Sequence, residues 1–274
     1  MIIKALVENT SVSNGYGSEH GLSLYIESKG RKILFDVGAS NLFYENAKKM
    51  NVNISDIQYL VISHGHYDHG SGLKLFLKEN KKANVFIHNL AFEKYYALRQ
   101  NNELKYIGLE EELKNNKQIT FTYEQLSIDD GIQVFSNVAQ NKPLPTSNAG
   151  LLKEDNGQMK DDTFAHEQNL IVEEEGKTLL ITGCAHNGII NILEHFYKMK
   201  GHMPDVVVGG FHLSSRSAGD NESIENIDKI GRLLLDTKAK YYTCHCTGTE
   251  AYNYLKTIMG EKIDYLKTGM ELTI

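Results

Sequence analysis

Short apolar runs recur along the whole chain. They are Ile2 to Glu8, Leu22 to Glu27, Lys32 to Asp36, Tyr59 to Ile62, Asn84 to His88, Ile119 to Tyr123, Ile132 to Phe135, Asn169 to Val172, Thr178 to Thr182, Val206 to Val208 and Lys240 to Thr243. Their β-branched and aromatic residues, with glycine- and aspartate-containing turns between, predict strands. Apolar positions at helical spacing separate some of them: Leu42, Phe43, Ala47 and Met50, then Ser71 to Lys78, then Ala91 to Leu98. A further helix follows Gly188, with Ile189, Ile190, Leu193, Phe196 and Tyr197 on its apolar face and His195 directed to solvent. The charged stretch Gln100 to Gln118 reads as an excursion, partly helical through Leu109 to Leu113. Either it is a solvated surface helix, or it covers a cleft and selects substrate through Tyr95, Tyr96, Arg99 or Tyr106. Asn141 to Asp162 lacks periodicity and holds Pro143, Pro145, Gly150 and Gly157, which predicts a long loop near the mouth of a site.

Alternating strand and helix patterns, with no linker-like stretch and only three prolines in 274 residues, predict one domain over residues 1–274. Lysine and arginine number 29 against 35 acidic residues, a formal charge of −6 with no sustained basic run, so a nucleic-acid partner is not expected. No run reaches the ~18 apolar residues of a membrane span. Met1 to Val7 enters strand-like sequence without a basic leader, and a cytoplasmic location is expected. The three cysteines, Cys184, Cys244 and Cys246, lie beside histidines, which favours a reducing compartment over a disulfide framework.

The densest chemistry is Ser63-His64-Gly65-His66-Tyr67-Asp68-His69-Gly70, directly after the run ending at Ile62. In extended backbone alternate side chains share a face, so His64 and His66 can grip one ion as neutral imidazoles. Asp68 and His69 sit where the chain must turn and can address a second ion beside the first, in a dinuclear centre with metals ~3.5 to 4 Å apart. Ligand chemistry favours two divalent ions, zinc by default, with iron and manganese also compatible. His212, after Val206-Val207-Val208-Gly209-Gly210-Phe211, is placed to donate a proton to a leaving group or to hold a phosphate or carboxylate. The following loop, Ser214 to Gly219, offers hydroxyls and Arg216 as an anion clamp. His20, at the exit of the polar loop Asn9 to His20, either makes a structural hydrogen bond or serves substrate or a ligand. His88 ends a strand and reads as structural. If the chain stays extended through Cys244-His245-Cys246, both thiols point away from His245. The stretch Thr247 to Glu250 then opens a helix able to receive an anion.

His64-x-His66-x-Asp68-His69 resembles the signature of the metallo-β-lactamase superfamily. Gly183-Cys184-Ala185-His186, Gly209 to Leu213, His245-Cys246-Thr247-Gly248 and Glu19 to Ser23 are similar to the subgroup typified by the dihydropterin ribofuranosylaminobenzene phosphate synthase. The resemblance covers nearly the whole chain. It implies an α/β (α+β) fold, an αββα sandwich of two mixed β-sheets flanked by helices, with metals at one edge between the sheets. It implies His186 as the third ligand of the first metal, with His166 as a competitor read as structural or substrate-side. His245 completes the second set with Asp68 and His69, which suits both its position and the subgroup pattern. Asp36 would orient His64 or His69, or cap the next helix, or both. The superfamily commonly carries an aspartate where this chain has Cys184, which is either a bridging thiolate or a small buried hydrophobe.

The resulting expectation is a hydrolase of a small anionic, phosphorylated molecule, in which a water between two metals attacks and Asp68 and His212 assist. The alternatives are a transferase like the named synthase and a non-catalytic small-molecule-binding protein.

Overall fold

The computed structural model describes residues 1–217 and 220–274. In chain order the first half supplies β1 (Ile2–Val7), β2 (Ser23–Ser28), β3 (Arg31–Phe35), α1 (Leu42–Lys49), β4 (Tyr59–Ile62), the single turn α2 (Tyr67–Gly70), α3 (Leu73–Glu79), β5 (Asn84–His88), β6 (Tyr95–Leu98), β7 (Leu104–Tyr106) and β8 (Ile119–Thr122). The second half supplies β9 (Gln125–Asp129), β10 (Ile132–Phe135), β11 (Leu151–Asp155), β12 (Gln158–Asp161), β13 (Asn169–Glu174), β14 (Lys177–Ile181), α4 (Ile189–Lys200), β15 (Val206–Gly209), α5 (Ile224–Asp236), β16 (Lys240–Thr243), α6 (Thr249–Met259), β17 (Ile263–Tyr265) and β18 (Glu271–Thr273).

Two large sheets form, ordered β18-β1-β2-β3-β4-β5-β8 and β17-β16-β15-β14-β13-β10-β9. Each is mixed. From β3 to β8 and from β17 to β14 the neighbours are parallel, and the remaining pairs are antiparallel. The inner faces meet in one buried cluster, in which Ile3, Leu24, Ile33 and Val61 of the first sheet pack with Val134, Leu170, Leu179 and Val208 of the second. The outer faces carry helices. Phe43 and Ala47 of α1 and Leu73 and Phe76 of α3 cover the first sheet, while Ile192 and Phe196 of α4, Leu234 of α5 and Leu255 of α6 cover the second. Strands apolar on both faces demand such double coverage, because each sheet then has a core on either side. The fold is an αββα sandwich.

A third, antiparallel sheet, β12-β11-β6-β7, departs from the sequence reading in two places. The helix expected over Ala91 to Leu98 is instead β6, whose Tyr95, Tyr96 and Ala97 pair with Lys153, Leu152 and Leu151. The tertiary partner decides here, since Tyr95 is buried and only a strand lets it be so while its neighbours stay in register. The loop expected over Asn141 to Asp162 contains the β11–β12 hairpin, turned by Asn156 and Gly157 at φ 51° and 80°. That Asn-Gly pair is the sequence signal of a two-residue hairpin. The excursion over Gln100 to Gln118 holds β7 and a short 3-10 turn, Glu111–Asn115, in place of a longer helix. β9 was also not expected, although Leu126 and Ile128 alternate with polar residues. On α4, Tyr197 is exposed rather than part of the apolar face, and His195 is half-buried, stacked on Phe135 at 5.2 Å. Among the described residues no helix is long and apolar enough to cross a membrane.

Candidate metal centre

Candidate ligands and their supports follow the ends of parallel strands at one edge of the sandwich: Asp36 after β3, His64 to His69 after β4, Cys184 and His186 after β14, His212 after β15 and His245 after β16. Several lie in left-handed backbone that only surrounding contacts maintain, with φ of 61° at Asp36, 50° at His212 and 53° at His245. Asp36 does not cap α1, whose N-cap is Asn41.

Asp36 holds the first half of the site. Its Oδ1 accepts from the Ser63 N–H and its Oδ2 from the Ser63 hydroxyl, both at 2.7 Å. With its proton spent on Asp36, the Ser63 hydroxyl oxygen accepts from His64 Nδ1 at 2.8 Å. His69 Nδ1 donates to Asp36 Oδ2 at 2.6 Å. One buried carboxylate therefore orients His69 directly and His64 through Ser63, turning the Nε2 of both toward the site.

His64, His66 and His186 converge, with ring centroids 4.6, 4.9 and 5.0 Å apart. Their Nε2 atoms are buried and have no hydrogen-bond partner. Asp162 Oδ2 stands 3.7 Å from His66 Nε2, too far for a hydrogen bond. Three orphaned lone pairs aimed at one another would cost ~1 to 3 kcal/mol each without an acceptor of electron pairs between them. The donor set fits a divalent cation in that role. Burial, and then the neighbouring imidazoles, push the pKa of His64 and His186 well down, and burial lowers His66 against the opposing pull of Asp162, so all three stand neutral as metal ligands must.

The second set lies beside it. His69 Nε2 is 3.2 Å from His245 Nε2, and Asp68 Oδ2 is 3.6 and 3.3 Å from the two. Burial opposes the Asp68 charge, yet His69, His20 and His245 hold its carboxyl well below the ordinary range. Burial likewise opposes charge on His69, yet Asp36 and Asp68 hold it up at about 9. His20 Nε2 stands 3.2 Å from Asp68 Oδ2, and its ring is 4.7 Å from that of His245.

Cys184 lies between the sets. Its Sγ is 3.2 Å from His69 Nε2, and it groups within 4.8 Å both with His64 and His69 and with His245 and Cys246. The expectation that both flanking thiols turn away from His245 fails for Cys246. The chain leaves the extended conformation at His245 and enters a 3-10 turn, His245–Thr247, which brings Cys246 back to the site while Cys244 stays in the core between the sheets.

Other histidines separate clearly. His166 accepts from Gly65 N–H through Nδ1 at 2.8 Å and faces Asp162 through Nε2 at 3.0 Å, so both nitrogens are committed to supporting the His64-Gly65-His66 loop. His88 Nδ1 accepts from the Leu90 N–H at 3.3 Å. His212 is buried with both ring nitrogens unpartnered, 4.1 Å from the His186 ring. It lines a cavity of about 330 Å³ with His20, Asp68, Cys184, Arg99, Lys105 and Arg216. Ala218 and Gly219, the end of the expected anion-clamp loop, lie outside the described residues.

Sequence reasoning missed the supports of the two late histidines. His186 and His245 donate their backbone N–H groups to buried Glu167 and Glu8, at 2.6 and 3.0 Å. Their rings are held by Asn148 and Asn9. Glu8 and Asn9 stand together at the end of β1, and a buried carboxylate closing an apolar strand was the available sign.

A layered sandwich bearing histidine and carboxylate sets at one edge defines a class of metal-site proteins, and residues 16–237 match the model of the metallo-beta-lactamase superfamily, to which this chain belongs. Within it, the chain is 33% identical over 267 residues to an uncharacterized protein of Methanocaldococcus jannaschii, MJ0448, covering 94% of each. It is 30% identical over 273 residues to the same organism's 7,8-dihydropterin-6-methyl-4-(beta-D-ribofuranosyl)-aminobenzene-5'-phosphate synthase, covering 93% of this chain and 90% of that one. Its fold matches that of Tm1679, described as a metal-dependent hydrolase of the beta-lactamase superfamily, with a TM-score of 0.85 and 30% identity over 100% of this chain and 99% of the other.

Proposed function

We propose that the chain, acting as one domain over residues 1–274, is a metallohydrolase of a small anionic, phosphorylated substrate. His64, His66 and His186 would hold one divalent ion and Asp68, His69 and His245 a second. The observation that carries this reading is the convergence of three buried, unpartnered Nε2 atoms beside the second set. Bound there, such ions would polarise a carbonyl or phosphoryl oxygen and bring the pKa of a water to ~7. Zinc suits the histidine-rich sets best, with iron and manganese also compatible.

The side chains divide the remaining work. Asp68, kept ionised, takes the proton of the attacking water at Oδ2, and His20 steadies that carboxylate from 3.2 Å. His212, with both ring nitrogens unengaged in the cavity wall, gives a proton to the leaving group. Burial, with Cys246 beside it, pushes the Cys184 thiol well up, so Cys184 would serve as a thiolate ligand only with cations alongside and is otherwise a small buried hydrophobe. Arg216 at the cavity rim offsets substrate charge. The three free cysteines support a cytoplasmic address.

The second reading is a synthase joining two molecules, favoured by the 30% identity to the named synthase over most of both chains. Metal analysis of the purified protein, beside a phosphomonoester, phosphodiester and thioester panel run with and without His66→Ala, tests the proposal. Bound metal with hydrolysis that the substitution abolishes is the expected result. Hydrolysis undiminished in His66→Ala sinks it. Product that forms only when two substrates are supplied together selects the synthase.

A further inference from the structure

The chain has four arginines, Arg31, Arg99, Arg216 and Arg232. Arg31 is paired with Asp129 and Arg232 with Asp228. Arg99 and Arg216 instead line the candidate active-site cavity, and among the described residues neither has a carboxylate partner. Arg99 Nη1 donates to the Arg216 carbonyl oxygen at 2.7 Å, which ties the segment after β6 to the loop after β15. Lys105 of β7 joins the same lining, its Nζ 5.8 Å from the Tyr67 ring centre. Against these three cations the lining carries a single carboxylate, Asp68, which belongs to the metal end. Arg216 and Lys105 are exposed at the cavity mouth, whereas the six candidate ligands are buried. Ala97, Ile107 and Leu151 supply the apolar part of the lining, beside the hydroxyl-bearing Ser147, Ser214 and Ser217.

In a chain of net charge −6, three unpaired cations at the mouth of one cavity are not surface decoration. A guanidinium without a carboxylate presents its fork to a ligand, and tetrahedral dianions match that fork better than any neutral group. We propose that the mouth is a subsite for a phosphate monoester dianion that serves as a handle and is not the group attacked. The substrate is then a two-ended molecule. Its phosphate docks on Arg99, Lys105 and Arg216, a flat apolar segment lies against Ala97, Ile107 and Leu151, and the reacting group reaches the ligand sets. This inference rests on the metal reading above for the location of the chemistry, but the subsite itself stands on the mouth residues alone.

Phenylphosphonate, an aromatic ring bearing a non-hydrolysable dianion, is the probe, titrated calorimetrically into the full metal-loaded chain. The wild type binds it, and Arg99→Gln and Arg216→Gln each weaken binding roughly tenfold or more, since each removes a charge-assisted hydrogen bond. Metal content of each variant, measured alongside, reports that the fold is intact. Lys105→Gln, on an exposed strand, gives the same direction of change should either arginine variant fail to fold. Chelation of the metals leaves most of the wild-type affinity in place, which separates this subsite from the catalytic proposal. No binding by the wild type, or binding lost on chelation but untouched in all three variants, overturns the subsite.

Discussion

Asn148 grips His186 at two points: its Oδ1 lies 2.9 Å from the ring Nδ1, and its Nδ2 donates to the His186 carbonyl at 2.9 Å. The carbonyl can only accept, so the amide NH₂ must face it, and the amide oxygen must face the ring. Nδ1 therefore carries the proton and Nε2 is the bare nitrogen in the cluster with His64 and His66. Asn9 repeats the arrangement on His245, with 2.8 Å to Nδ1 and 3.2 Å to the carbonyl.

Replacing either asparagine by leucine should therefore weaken metal binding about 10- to 100-fold, the range for lost partners of metal-bound histidines. Asn148→Asp, which keeps the acceptor on the ring, should retain more of the affinity than Asn148→Leu. Competition against a chromophoric chelator measures both. Equal affinity in Asn148→Leu and wild type would remove the orienting role.

The position of Cys184 makes a spectroscopic prediction. Cobalt(II)-loaded wild type should show an intense near-ultraviolet thiolate-to-cobalt band, which disappears in Cys184→Ser and persists in Cys244→Ser, whose thiol lies in the core between the sheets. A band that survives in Cys184→Ser would assign the sulfur elsewhere, with Cys246 the next in reach.

Gly65 separates His64 from His66 and has no room for a side chain. A Cβ there would meet the Ala91 carbonyl oxygen and the Tyr95 ring. Gly65→Ala should cost ~1 to 3 kcal/mol in stability, as overpacking does, and lower metal occupancy by parting the two imidazoles. Denaturant unfolding and metal analysis read the two effects.

His88, outside the ligand sets, is buried, and burial followed by His166 lowers its pKa to about 4. The unfolded chain, near the ordinary value of ~6.5, binds the proton first. The stability this group contributes is thus complete above pH 6.5 and is lost as pH falls from 6.5 towards 4. In melting curves across that interval, His88→Gln should lose less than the wild type. Parallel declines in the two proteins would exclude His88 as a source.

Most of the large-sheet strands and the early ligand cluster were legible because they are locally determined. Tyr59 to Ile62 is an unbroken apolar run, and His64 to His69 lie within six positions of one another. β6 and β7 were not legible, since four and three residues acquire their conformation from partners such as Leu151 to Lys153, far along the chain. The same reason hides Asn9, Asn148 and Glu167. A polar residue in a loop looks identical in sequence whether it meets water or another segment's histidine. His245 was placed with the second set, but the left-handed turn that swings Cys246 inward follows from packing and leaves no local mark.

Four candidate ligands hang from the first large sheet, and His186 and His245 hang from the second. An ion gripped by either set would be a rivet through both layers of the sandwich. Sliding of one sheet across the other would register at once as stretched coordination, so the rigidity of the apolar seam between the layers sets the tolerance of the chemistry. A conservative change deep in that seam, such as Val61→Ala, can then detune turnover without touching any polar residue of the cavity.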